Sequence, residues 1–340
     1  MSGLNLIENY LIIEERKRQT ILGDIVPKFS LFGLILLILS TLGNSLCLPM
    51  CKYMHYKCAS IKMVWRCIWY MVLMQPTFCY EMYKSKSKLN IIMSKHNIFT
   101  LAKVGVLIYL IVALQIVSVK FTYASHTTML GGMPAVILII AKLLRCVKPS
   151  INEMIGGSVA IIGAAILMMD GSGSELSAIS IIIGDVIAIG SSVVYAFFMT
   201  FVGPVLDNFS LSIMITISGV FTSIAAFIAM LSHIDGAIFL STDPQMGFLS
   251  GITDKSNLLC TFIGLGLFGA YIANMTFYAA FKYFDPIIIS LTLLAVPFVT
   301  EIIVLLLGIE KLPGILTLIG GITVLIGLVF IARADTHEQK

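Results

Sequence analysis

Polar and apolar residues along this chain do not alternate; they separate into long blocks. Ten apolar runs stand out, at about 30–50, 61–82, 101–119, 124–143, 151–170, 178–202, 210–232, 258–280, 286–308 and 314–332. Each is close to the roughly 20 residues that carry a helix across the apolar part of a bilayer. Short polar breaks, such as Lys120–Tyr123 and Lys282–Asp285, divide neighbouring runs. The longest connection, 233–257, holds Asp235, Asp243, Asp254 and Lys255 and leaves no room for a soluble domain. Spanning backbone must satisfy its own hydrogen bonds, which leaves helices or a closed barrel. Continuous rather than alternating apolarity selects helices. The pattern predicts an all-α membrane protein of ten transmembrane helices.

Composition agrees. The 340 residues are 58% hydrophobic and 12% charged, with a mean hydropathy of +0.99. A soluble domain carries about 25% charged residues, so too little polar surface exists to cover a soluble fold. Disorder, a disulfide scaffold and nucleic-acid binding are excluded on the same figures. The net charge of +4 matters less than where the charges fall. With the N-terminus inside, 15 of the 22 Lys and Arg lie on the cytoplasmic side and 6 on the other, and Arg66 lies within a span. That bias predicts both termini cytoplasmic. Leu11–Ile13 is too short for a signal-peptide core, so the first span is expected to direct insertion. Five of the seven cysteines fall between Cys47 and Cys79 without a Cys-x-x-Cys pair. They read as small packing residues, with Cys51 and Cys58 able to pair if their loop faces an oxidising compartment.

The two halves repeat. Ile155-Gly156-Gly157 is followed after four residues by Ile162-Gly163, and Ile319-Gly320-Gly321 after four residues by Ile326-Gly327, an offset of 164 throughout. Pro134 and Pro297 follow at 163. Five spans per half is an odd number, so the second half enters the membrane from the opposite side. A 5+5 inverted-topology repeat results, and such folds bind substrate near the midplane between the halves. The expected organisation is a cytoplasmic segment 1–29, repeats at 30–170 and 178–332, and a cytoplasmic tail 333–340.

In the first half, Arg66, Tyr123-Ala124, Pro134 and Gly156…Gly163 carry a family pattern. In the second, Gly184-Asp185, Tyr195-Ala196, Gly269-Ala270-Tyr271, Pro297, Glu310 and Gly320…Gly327 continue it. In this order and spacing the chain resembles the EamA-type ten-helix members of the drug/metabolite transporter superfamily over about 30–332. The resemblance implies a transporter of small organic solutes, with the first four helices of each repeat lining a cavity and the fifth and tenth peripheral. Two positions depart from the family pattern. Cys146 stands where the first-half counterpart of Glu310 is expected, and Glu301 stands where a small or apolar residue is usual.

Charges inside spans are costly and mark candidate functional groups. Here they are Arg66, Asp185 and Glu301, joined by the titratable His126. Glu301 lies one turn beyond Pro297 and is a candidate for proton coupling or an ion pair, as is Asp185. Arg66 can meet an anionic substrate bidentately or balance Glu301. His126 is a candidate substrate contact or a hydrogen-bonded packing residue. Among uncharged residues, Gln115, Tyr195, Tyr271 and Asn274 are candidate substrate contacts. Tyr271, Asn274 and Tyr278 follow helical spacing, which predicts one cavity-facing stripe. Pro134 and Pro297 are candidate hinges. The glycine-rich fifth and tenth spans predict close helix contacts, within the chain or across a homodimer.

No nucleophile–base pair, metal-ligand spacing or phosphate loop appears, so neither an enzyme nor a cofactor is expected. The expected partners are a small-molecule substrate and the lipid bilayer. The leading expectation is a secondary transporter of a small organic metabolite, run by exchange or proton coupling. A channel or divalent-cation permease on the same scaffold is the alternative, and it would need converging carboxylates.

Overall fold

The computed structural model describes residues 31–84, 94–144, 149–169, 177–209, 211–280, 283, 295–309 and 314–338. These residues are helical apart from short connections and one isolated bridge, Ile238 to Gly247. The helices are α1 (Leu31–Tyr53), α2 (Ala59–Lys84), α3 (Lys95–Ser118), α4 (Ala124–Gly131), α5 (Pro134–Leu144), α6 (Ile151–Met168) and α7 (Ala178–Asn208). They continue as α8 (Leu211–Leu231), α9 (Ser250–Thr253) and α10 (Lys255–Leu259). A π-helical segment (Cys260–Ile272) follows, then α11 (Ala273–Ala280), α12 (Val296–Leu306) and α13 (Ile315–Glu338).

Seven helices are long and apolar enough to cross a membrane: α1, α3, α4 with α5, α6, the first 25 residues of α7, most of α8, and the run from α10 through α11. The protein is an all-α, multi-pass membrane protein. α2 has 26 residues but is not among the seven, because Lys62, Arg66 and Gln75 dilute its apolarity. The run expected at 286–308 is described only from 295, where α12 holds 11 residues. Glu310, Cys146 and the segment 1–29, which was expected to be cytoplasmic, lie outside the described residues.

Polar residues at the breaks start the helices. Ser94 accepts from the Asn97 N–H, and Ser177 from the Ser180 N–H. Ser150 and Glu153 form a reciprocal capping box, with Lys142 donating to Glu153 Oε1 at 2.6 Å. The single run expected at 124–143 is two helices. Pro134 lacks an N–H and obstructs the turn before it, so the helix breaks at Gly132 and Met133.

Packing joins distant elements. α1 lies against the π-helical segment, α11 and α12; α7 lies against α3, α4 and α5. α2 and α3 both contact α8, α2 also meets the π-helical segment, and α4 meets α12. α6 and α13 lie along each other at glycines. A Cβ on Gly156 would stand 2.5 Å from Gly327 O, and one on Gly163 2.8 Å from Gly320 O. The glycine faces are therefore occupied within the chain.

At one end the connections are stitched together. Asp235 accepts from Ser60 N and Ser60 Oγ, both at 2.8 Å, and Lys57 N donates to Gln245 O at 3.0 Å. Lys52 Nζ donates to Thr122 O at 3.0 Å. Trp65 stacks on Phe248 at 4.8 Å between centroids, and Phe239 on Phe248 at 5.3 Å, forming an aromatic cap. Cys51 and Cys58 are both buried and both free. Burial pushes the Cys58 thiol pKa up, and Asp235 pushes it further, which makes it a poor nucleophile.

Candidate functional site

A cavity of about 210 Å³ lies among α1, α2, α3, α4, α7, α8 and the helix that runs through the π-helical segment into α11. Its walls are apolar and aromatic (Ile108, Val112, Phe198, Phe277), with polar groups set among them. Asn44 comes from α1, Arg66 and Tyr70 from α2, and Gln115 from α3. Thr128 is on α4, Tyr195 on α7, Ser218 and Thr222 are on α8, and Asn274 and Tyr278 on α11. No residue of α6 or α13 takes part.

Arg66 is half-buried, and Nη2 donates to Gly269 O at 2.9 Å. Its Nε is buried with no hydrogen-bond partner among the described residues. Gly269 belongs to the π-helical segment, whose wide turns are a common feature of functional sites. Only glycine fits there, since a Cβ would come within 2.7 Å of Gly264 O and 3.0 Å of Cys47 Cβ. The arginine's first hydrogen bond therefore depends on close passage of two helices.

Arg66, Gln115, Tyr195 and Asn274 are thus brought to one cavity. Tyr271 is not. It packs beside the cluster that contains Met74, Leu101 and Phe198. The stripe expected for Tyr271, Asn274 and Tyr278 assumed α-helical spacing. The π winding through Ile272 changes the register just before Asn274.

His126 and Asp185 also lie outside the lining, and both are fully buried. His126 Nδ1 donates to Asp185 Oδ1 at 3.2 Å, and Nε2 meets Thr317 Oγ1 at 3.0 Å. Thr122 Oγ1 donates to the same Asp185 oxygen at 2.7 Å. Next to them Ser118 Oγ donates to Gly184 O at 2.9 Å. This knot ties α4, α7 and α13 to the turn after α3. Every side chain in it has a partner, as a buried polar group requires.

Glu301 is half-buried on α12 and also lies outside the lining. The two prolines mark places where the other half of the chain supplies a serine. Ser192 Oγ on α7 donates to Leu130 O and accepts from Met133 N at 3.1 Å, closing the gap before Pro134. Ser45 Oγ on α1 lies 3.0 Å from Val296 O, next to Pro297, and Thr300 Oγ1 donates to Ser45 O at 3.3 Å.

Sequence reading did not single out Tyr70, Phe198 or Phe277. An aromatic residue facing a cavity and one facing lipid look alike in an apolar run. Among the described residues no three His, Cys, Asp or Glu side chains converge where a metal ion could sit. Chemically the cavity can hold a polar solute by hydrogen bonds and one cation; Cys47 and Cys67 line it without a histidine or carboxylate beside them in the lining.

No sequence profile of a known protein family matches this chain, and no curated protein matches it. Seven chains of solved structures do. One of them, described only as "Crystal structure of protein", superposes with a TM-score of 0.56 at 11% identity, covering 91% of this chain and 99% of its own. At that identity the likeness is one of overall fold alone.

Proposed function

We propose that this protein is a secondary transporter that carries a small organic metabolite across a membrane by alternating access. In this reading it has ten spans in a 5+5 inverted-topology repeat, from the 164-residue offset, and both termini cytoplasmic, from the Lys and Arg distribution, while the resemblance to EamA-type transporters implies the small organic solute. The glycine contacts between α6 and α13 carry the proposal. Gly156 meets Gly327 and Gly163 meets Gly320. Shifting each residue by the offset of 164 exchanges one contact for the other. Such self-complementarity is what a two-fold axis produces, and antiparallel partners require that axis to lie in the membrane plane.

Other contacts follow the same exchange. α1 on the π-helical segment answers α7 on α3, and α1 on α12 answers α7 on α4 and α5. Ser45 beside Pro297 answers Ser192 beside Pro134. The cavity lies between the halves, where alternating-access folds bind. The aromatic cap lies at the end that the Lys and Arg distribution assigns to the outside. A divalent-cation path is disfavoured, since no carboxylate lines the described cavity.

Counterflow tests this reading. Purified protein in liposomes preloaded with one member of a metabolite panel should take up the labelled form of that member transiently above equilibrium, and saturably. Uptake that is linear in concentration and indifferent to preloading would point to a channel and overturn the proposal. An imposed pH gradient then separates exchange from proton coupling.

A further inference from the structure

Arg66 is the only charged residue among the described residues that line the cavity. A guanidinium stays protonated in any protein environment. Half-buried and without a counter-charge among the described lining residues, Arg66 is only partly compensated by the carbonyl dipole beside it. Gly269 O takes one of its five N–H groups, while the buried Nε–H has no partner among the described residues. Arg66 lines the cavity and is partly exposed there, and a guanidinium fork is the group that a carboxylate meets bidentately.

The rest of the wall sets the remaining properties of a ligand. Among the described residues it contains no Asp or Glu, so an ammonium group, a zwitterion's amine or a metal ion finds no counter-charge in them and meets the repulsion of Arg66. One cation balances one negative charge; a phosphate dianion or dicarboxylate would leave a second charge buried. Tyr70, Tyr195 and Tyr278 provide aromatic faces with hydroxyl tips, and Gln115 and Asn274 provide amides. The cavity, of about 210 Å³, has room for a small organic solute.

We propose that the cavity binds a small organic acid carrying a single net negative charge, with its carboxylate on Arg66 and its body between the tyrosines. This inference rests on reading the cavity as the transported solute's site, and it adds the charge and chemical class of that solute.

Matched pairs test it on the wild-type protein. Benzoate with benzamide, 4-hydroxyphenylacetate with its amide, and nicotinate with nicotinamide differ mainly in charge; benzylamine and tyramine supply the opposite sign. Thermal unfolding in detergent should rise with at least one carboxylate and not with its amide or with the amines. In Arg66→Gln the carboxylate affinity should fall by about ten- to a hundredfold, the usual worth of a hydrogen bond to a charged group. Arg66→Lys, which keeps the charge without the fork, should fall between the two. If the variants fail to fold, the comparison of carboxylate with amide on the wild type still decides. Equal binding of amides, preference for the amines, or no stabilisation by any carboxylate in the set overturns the inference. Carboxylates that bind but show no counterflow would instead sink the transport reading and leave the anion site standing.

Discussion

Two polar regions lie inside this bundle, and they are built on opposite principles. The His126–Asp185 knot holds two titratable groups with no exposure, and threonines from the turn after α3 and from α13 complete their hydrogen bonding. The cavity holds one cation, several tyrosines and amides, and space. In the knot the protein answers every donor and acceptor from within. In the cavity the Arg66 Nε–H is left over. A charged residue in a span is thus a weak guide by itself; how completely its neighbours satisfy it separates a fastener from a receptor.

Removing a partner from the knot should have the largest effect on stability. Asp185→Ala leaves His126 Nδ1 and Thr122 Oγ1 without the carboxylate that holds them. A loss of about 3–5 kcal/mol is expected, as for other broken buried pairs, and thermal unfolding in detergent measures it. A loss below about 1 kcal/mol would show that the knot is not the fastener described. Gly327→Ala comes next. Its Cβ would sit 2.5 Å from both Gly156 O and Ala160 N, which are backbone atoms. α6 and α13 must separate, at a cost of about 1–3 kcal/mol, and the symmetry-equivalent Gly163→Ala, whose Cβ would meet Val324 N at 2.5 Å and Gly320 O at 2.8 Å, should cost a similar amount. Unequal losses would weaken the two-fold relation between these helices.

Arg66→Gln should behave in the contrary way. Arg66 is half-buried, so a glutamine there gives up the hydrogen bond to Gly269 O but spares the partial desolvation of a charge, and the two effects oppose each other. Unfolding should therefore stay within about 1 kcal/mol of the parent while carboxylate binding collapses. A large loss of stability would move Arg66 into the same class as Asp185. The smallest effect belongs to Asp243, in the connection between α8 and α9. Gln245 and Met246 N–H donate to its Oδ1 and hold its pKa below the usual carboxylate value. A lowered folded pKa stabilises the ionised, folded form. The contribution is present above the ordinary Asp range and disappears as pH falls through the lowered value. Protection of the Gln245 and Met246 amides from exchange, corrected for the intrinsic rate, should fall over that acidic window. In Asp243→Asn the pH dependence should vanish.

Much of this architecture was open to sequence reading because the bilayer imposes it. Apolar runs had to become helices, and Pro134 had to interrupt one. Arg66 drew notice because a charge is rare among such neighbours. What stayed hidden depends on distance and winding. Nothing at Thr317 announces that it meets His126, 191 residues away. The π-helical turns before Ala273 keep Asn274 and Tyr278 in the cavity wall and Tyr271 out of it. Spacing rules built on the α-helix cannot anticipate that. Tyr70, Phe198 and Phe277 escaped notice because lipid and cavity draw on the same side chains.

The serines beside the two prolines have a mechanical consequence. Ser192 bridges the gap before Pro134 from α7, and Ser45 grips α12 beside Pro297 from α1. Each weak point is latched by a helix from the opposite end of the chain. Movement at Pro134 would therefore pull on α7, and movement at Pro297 on α1. A change of shape at either proline would thus be passed on to a helix of the other half.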